Sequence, residues 1–153
     1  MTDEKTAQKL LIQEYIKSHK YGYKLALCNA YLFTWESDLL FVGRNNKLIE
    51  VEIKVSRHDY LKDAEKVQKH NNLARLTHGG FTGVPNQFYY CVLQDFAKSV
   101  AEDLPDYAGL IVIMQRGLQK YVKIAKKAPL LHNESIEPGT WEQIAIKLFN
   151  KTI

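Results

Sequence analysis

The chain has 153 residues, 46% hydrophobic and 25% charged, with a formal net charge of +4. That length and balance predict one ordinary globular domain, 1–153, whose core needs no disulfide or structural metal. No apolar run approaches the roughly 20 residues that span a bilayer, and the opening Met1-Thr2-Asp3-Glu4-Lys5 lacks the basic and apolar regions of a secretory leader, so a cytoplasmic protein is expected.

Residues 3–18 read as a helix, with Ala7, Leu10, Leu11 and Ile16 at helical spacing and Asp3 or Thr2 as cap. A first strand is predicted over 24–34, and two more over 37–43 and 47–55, with the turn residues Arg44-Asn45-Asn46 between the last two. A helix follows over 57–74, with Tyr60, Ala64, Val67 and Asn71 on one face and Glu65 beside Lys69. The loop 77–83 is rich in glycine but has neither GxGxxG nor Walker spacing. Gln87–Leu93 is an aromatic strand in which Phe88-Tyr89-Tyr90 reads as core. The acidic stretch 95–106 suits a short helix, Ala108–Met114 a buried strand and Lys120–Ile124 another. Thr140 and Gln143 have capping-box spacing for a last helix, whose apolar face is Trp141, Ile144, Ala145 and Leu148. The order α, β, β, β, α, β, β, β, α, with a short helix allowed at 95–106, predicts an α/β or α+β layered domain. Cys28 and Cys91 lie far apart in apolar runs and have no zinc-type spacing, so both read as buried free thiols.

The chemistry concentrates in 36–54. On strand 47–55, Ile49, Val51, Ile53 and Val55 point one way, and Glu50, Glu52 and Lys54 the other. A three-residue loop with Asn46 left-handed would pair Gly43 with Lys47. Asp38 then stands opposite Glu52, with Cβ atoms about 5 Å apart. Two carboxylates that close repel unless a cation or a shared proton lies between them. Hard oxygen ligands suit Mg²⁺ (or Mn²⁺), and a neighbouring ammonium suits phosphodiester hydrolysis. The alternative is a solvated face of an edge strand.

Asp38, thirteen residues, then Glu52-Ile53-Lys54 resembles the signature of the PD-(D/E)XK nuclease superfamily. The longer stretch Glu50-Val-Glu-Ile-Lys-Val-Ser-Arg-His-Asp-Tyr-Leu-Lys-Asp63 resembles the MmcB-like DNA-repair proteins and related phage and bacterial nuclease-like proteins, as do Pro85–Leu93 and Ala108–Val112. The likeness covers roughly residues 35–125. Ser37 stands in place of the proline and Val55 in place of a serine, and neither change removes a ligand. The resemblance implies a restriction-endonuclease-like αβββαβ core and a metal-dependent DNA endonuclease in repair, recombination or phage and mobile-element DNA processing. It implies Asp38, Glu52 and Lys54 as catalytic residues. Asp38 and Glu52 would hold the metal, and Glu36 is a further candidate because it would share the face of Asp38. Glu14 is a possible accessory acid, because a first-helix glutamate reaches the metal in several branches of the superfamily.

Arg57, Lys62, Lys66, Lys69 and His70 would contact the DNA backbone; the last four form one helical stripe. Lys69-His70 also matches a pair common in the similar sequences. Asp59 and Asp63 read as helix caps and lysine partners. The segment 115–127 holds Arg116, Lys120, Lys123, Lys126 and Lys127 and no acid, which suits either a second backbone contact or a lysine-protected edge strand. A homodimer is one way for so small a nuclease to reach both strands. The runner-up function is a non-cleaving nucleic-acid-binding accessory protein on the same fold, and behind it a protein-interaction module using 95–106.

Overall fold

The computed structural model describes residues 2–17, 22–33, 35–63, 66, 69, 70, 73 and 84–152. The predicted loop 77–83 and the residues Ala64, Glu65, Val67 and Asn71 of the predicted helix lie outside them. Six strands form one sheet in chain order: β1 (Leu25–Ala30), β2 (Ser37–Val42), β3 (Leu48–Lys54), β4 (Gln87–Leu93), β5 (Ala108–Arg116) and β6 (Gln119–Lys126). β1, β2 and β3 are successively antiparallel, β3, β4 and β5 are parallel, and β6 returns antiparallel to β5. The helices are α1 (Glu4–Ile12), extended by a π turn over Gln13–Lys17, then α2 (Arg57–Asp63), α3 (Gln94–Asp103) and α4 (Pro138–Thr152). The fold is thus α+β, a mixed sheet flanked by helices, as the order of apolar runs predicts.

The period-2 alternation of the strands divides the core in two. Leu39, Phe41, Ile49, Val51, Ile53, Tyr89, Cys91, Ile111 and Ile113 face Ala7, Leu11 and Tyr15 of the N-terminal helix. Phe88, Tyr90, Val92, Leu110 and Val112 on the opposite face meet Tyr60 of α2 and Val100 of α3. α4 covers the end of the sheet formed by Val42 and Leu48, through Trp141, Ile144 and Leu148, while Ala145 stays exposed. The Phe88-Tyr89-Tyr90 run is therefore core. Asp3 caps α1 as predicted, accepting from the Thr6 N–H at 2.7 Å. Thr140 does not cap α4: the helix already begins at Pro138, whose missing N–H costs nothing in a first turn.

The β2–β3 turn sets the site. Asn45 and Asn46 both take left-handed backbone, at φ 61° and 56°, a region asparagine tolerates. The Gly43 N–H donates to the Lys47 carbonyl at 2.9 Å. Leu39 then faces Val51 and Val42 faces Leu48, the predicted register, whose next pair is Asp38 with Glu52.

Asn86 pins the start of β3. Its Oδ1 accepts from the Leu48 N–H at 2.8 Å, and its Nδ2 donates to the carbonyls of His132 and Glu134 at 3.0 and 2.7 Å. Each buried group left unpaired costs about 1–3 kcal/mol. Asn86→Ala is expected to lower the urea midpoint with an unchanged slope; an unchanged midpoint would remove Asn86 from this role.

Candidate active site

The site lies at the carboxyl end of β3. Asp38 falls where both ladders of β2 are interrupted. On one side Asn29 of β1 is left-handed, at φ 50°. On the other the Ile53 N–H donates to Asp38 Oδ2, at 2.8 Å, rather than to a backbone carbonyl. The freed Asp38 carbonyl accepts from Gln8 Nε2 of α1 at 2.8 Å. The Asp38 side chain thus leaves the sheet edge towards Glu52 and an open cleft of about 360 Å³. Glu52, Lys54, Asp59, Lys62, Asp63 and Lys66 also line this cleft, with Glu4 at its α1 side.

β3 is a central strand, so its carboxylates are not a solvated edge. Glu50, Glu52, Asp63 and Lys69 are all 2% exposed or less. Charges buried this deeply must be paired. Lys54 Nζ lies 3.3 Å from Glu52 Oε1 and 3.4 Å from Asp63 Oδ1. Lys66 Nζ is 3.7 and 3.3 Å from the same two oxygens. Lys69 Nζ is 3.3 Å from Glu52 Oε2 and 3.5 Å from Asp63 Oδ1, and stands 5.0 Å from the Phe88 ring centroid. Asp63 also accepts from the Tyr90 hydroxyl at 2.5 Å and lies 3.0 Å from His70 Nε2, while His70 Nδ1 contacts the Tyr107 hydroxyl. The Trp35 indole N–H donates to Glu50, 2.9 Å from Oε2.

These contacts separate the four acids. Burial alone would raise Asp63, but His70, Lys69, Tyr90 and Lys54 together outweigh it and hold its carboxyl well below the usual range. Glu50 is pushed up to about 7, by burial and then by Glu52, against the pull of Lys69. Asp38 is pushed up to about 8, first by burial and then by the charge of Glu52. Lys54 and Lys69 both lose solvation, yet the surrounding carboxylates raise them above their ordinary value.

The structure brings Asp38, Glu52 and Lys54 to one cleft, with Lys62 and Lys66 at its rim. Other expected site residues lie elsewhere. Glu36 is exposed, precedes β2 and does not line the cleft, because the strand begins only at Ser37. Glu14 sits in the π turn and is not among the lining residues, whereas Glu4, three turns earlier, is. Lys69 and His70, expected along an exposed stripe, turn inward: Lys69 Nζ to Glu52 and Asp63, His70 Nε2 to Asp63 and its Nδ1 to the Tyr107 hydroxyl. Arg57 donates to Ser99 Oγ at 2.8 Å and to Asp103 at 3.1 Å, tying α2 to α3. Sequence reasoning missed Glu50, Glu4 and the central part played by Asp63.

The donors suit a hard cation. Asp38 and Glu52 offer carboxylate oxygens, and those of Glu52 already stand 3.3 Å from the Lys54 and Lys69 ammonium groups. Among the described residues no three His, Cys, Asp or Glu side chains stand ready as a cage. Two carboxylates with water completing the shell is an arrangement Mg²⁺ accepts.

No family model matches the chain, and no curated protein matches it. A solved structure of a protein of unknown function from Silicibacter pomeroyi is similar, with a TM-score of 0.61 over 95% of this chain and 83% of that one, at 17% identity. A likeness at that identity is one of fold. Among the described residues no helix is long and apolar enough to cross a membrane.

A carboxyl raised on folding contributes stability that is full below its unfolded pKa and lost as pH rises through its folded one. For Asp38 that window runs from the ordinary 3.8 to about 8, and for Glu50 from 4.5 to about 7. Asp63 acts oppositely, losing its contribution as pH falls below 3.8. In EDTA the urea midpoint is expected to fall between pH 5 and pH 8, and Asp38→Asn to flatten the upper part of that fall. A midpoint that rises across this range would contradict the assignment.

Asp38→Asn and Glu52→Gln are expected to diverge. The first removes a repulsion, and in metal-free protein near pH 8 should be neutral or stabilising. The facing of Asp38 and Glu52 alone would suggest the same for Glu52→Gln, by relief of like-charge repulsion. The structure reverses that expectation, because Glu52 holds Lys54, Lys66 and Lys69. Removing one partner from a buried ion pair costs about 3–5 kcal/mol. Equal midpoints for the two variants would show that Glu52 is not a structural anion.

Proposed function

We propose that the protein is a metal-dependent DNA nuclease that hydrolyses phosphodiesters in this cleft, on a restriction-endonuclease-like core of the PD-(D/E)XK type. One observation carries the reading: the β2–β3 register sets Asp38 beside Glu52, with the Lys54 ammonium 3.3 Å from Glu52, where an open cleft begins. Two carboxylates side by side repel, and such a pair is a place where a divalent cation gains most. The sequence resemblance across residues 35–125 points the same way.

In this reading Asp38 and Glu52 hold Mg²⁺ or Mn²⁺, which would supply Lewis acidity at the phosphate and a water of lowered pKa. The chain's own residues do the rest. Lys54 is fixed between Glu52 and Asp63, and its raised pKa keeps it an ammonium at neutral pH. An ammonium so placed stabilises negative charge growing on a phosphate or orients a nucleophilic water by donating to it. As a cation it does not remove a proton. Lys62 and Lys66, exposed at the rim, meet the flanking phosphates. Asp63 holds Lys54 in place.

A second reading is favoured by the same contacts. Three ammonium groups already surround Glu52, and Asp38 already accepts from a backbone N–H. A non-cleaving nucleic-acid-binding protein would be satisfied by that arrangement.

Incubation with supercoiled, single-stranded and branched DNA in Mg²⁺, Mn²⁺ or EDTA separates the two. Metal-dependent cutting is expected, lowered by at least about 100-fold in Asp38→Asn and in Lys54→Met, in keeping with the loss of one electrostatic group from a hydrolytic site. Salt-sensitive binding with no cutting in either metal would select the second reading.

A further inference from the structure

We infer that the β5–β6 hairpin is a DNA-gripping arm that enters a groove of the duplex beside the cleft. The inference rests on the reading that the substrate is DNA, but uses none of the cleft residues.

β4 ends at Leu93, which pairs with Ile113. Beyond that point Met114, Gln115 and Arg116 pair only with Tyr121, Lys120 and Gln119. The sheet therefore continues as a two-stranded ribbon, roughly 10 Å long at the ordinary rise per residue. The ribbon projects from the same end of the sheet as the cleft. β3 and β5 are parallel, and Lys54 shares a row with Val92 and Val112. Arg116 lies four residues past that row, and two strand spacings across, which is about 10 Å.

Arg116 and Lys120 lie on the ribbon, and Lys123 and Lys126 follow along β6 where it rejoins the sheet. Residues 115–127 carry Arg116, Lys120, Lys123, Lys126 and Lys127 and no acid. Arg116, Lys123, Lys126 and Lys127 are exposed, while Lys120 is half-buried and its charge is felt by Asp3. Tyr121 is exposed as well. At the tip, Gly117 takes a left-handed turn at φ 61° and holds Leu118 fully in solvent, at 101% of its reference exposure. Lysines that merely protect a sheet edge explain the charge but not an apolar side chain presented at the point. A two-stranded ribbon is admitted by the major groove, where an apolar side chain at the tip meets base edges such as the thymine methyl. Cations along the strand and an apolar tip together match a phosphate backbone with stacked bases inside it.

The test is fluorescence anisotropy of a labelled DNA duplex in EDTA, where no cutting occurs, across a salt series. The comparison is wild type, Arg116→Gln with Lys123→Gln, and Leu118→Gly. All three positions are exposed, and the urea midpoint checks that the fold is kept. The double variant is expected to lower the slope of log affinity against log salt by about 1 for each residue. Leu118→Gly is expected to weaken binding several-fold at an unchanged slope. Wild-type binding with both variants unaltered would overturn the arm while leaving the cleft untouched. Binding to phosphatidylserine vesicles in preference to the duplex would also overturn it, in favour of a membrane surface. Arm-dependent binding without cutting in Mg²⁺ would uphold the arm and remove hydrolysis.

Discussion

Glu52 and Asp63 are carboxylates with almost no contact with water, and both are held by the same three lysines. Lys69 is as deeply buried as they are. None of these charges could remain ionised there alone, since an isolated ion in a protein interior gives up its charge or its place. Together they form a network whose cost in lost hydration is offset only while every member is present. The network ties the end of β3 to the helical segment that follows it, and it does so under the sheet rather than on its surface.

The cleft follows from that constraint. Three lysines stand on one side of Glu52, and its charge acts on Asp38 at the other. Asp38 has fewer compensations. Its hydrogen bond from the Ile53 N–H does not outweigh burial and the neighbouring charge. Unequal neighbours thus give equal chemical groups different protonation behaviour: Asp63 is held low, while Glu50 and Asp38 are held high. Of this set, Asp38 lies at the open cleft beside the charge of Glu52 that raises it. Glu52 and Asp63 in turn fix the Lys54 ammonium at the cleft.

Much of this was readable because it is local. The alternation of Leu48–Lys54 and the Arg44-Asn45-Asn46 turn determine the register between them, and the register carries Asp38 to Glu52. The misreadings share a cause. A lysine stripe on a helix looks the same whether it faces water or a buried carboxylate, so the inward turn of Lys69 and His70 depends on β3 being central. Glu50 looked like one more alternating charge, because its partner, the Trp35 indole, comes from a segment with no periodicity. Glu4 and Glu14 lie on the same stretch of chain, and only the way α1 crosses the sheet decides which acid reaches the cleft.

The most direct measurement is the calorimetric titration of Mn²⁺ into the metal-free protein near pH 7, repeated in buffers of differing ionisation enthalpy. One ion is expected to bind and to expel a proton, because Asp38 titrates near 8 and must ionise to act as a ligand. Asp38→Asn should lose both the binding and the proton, and Glu36→Gln should keep both. Binding that persists in Asp38→Asn, or no binding by the wild-type chain, would contradict the account.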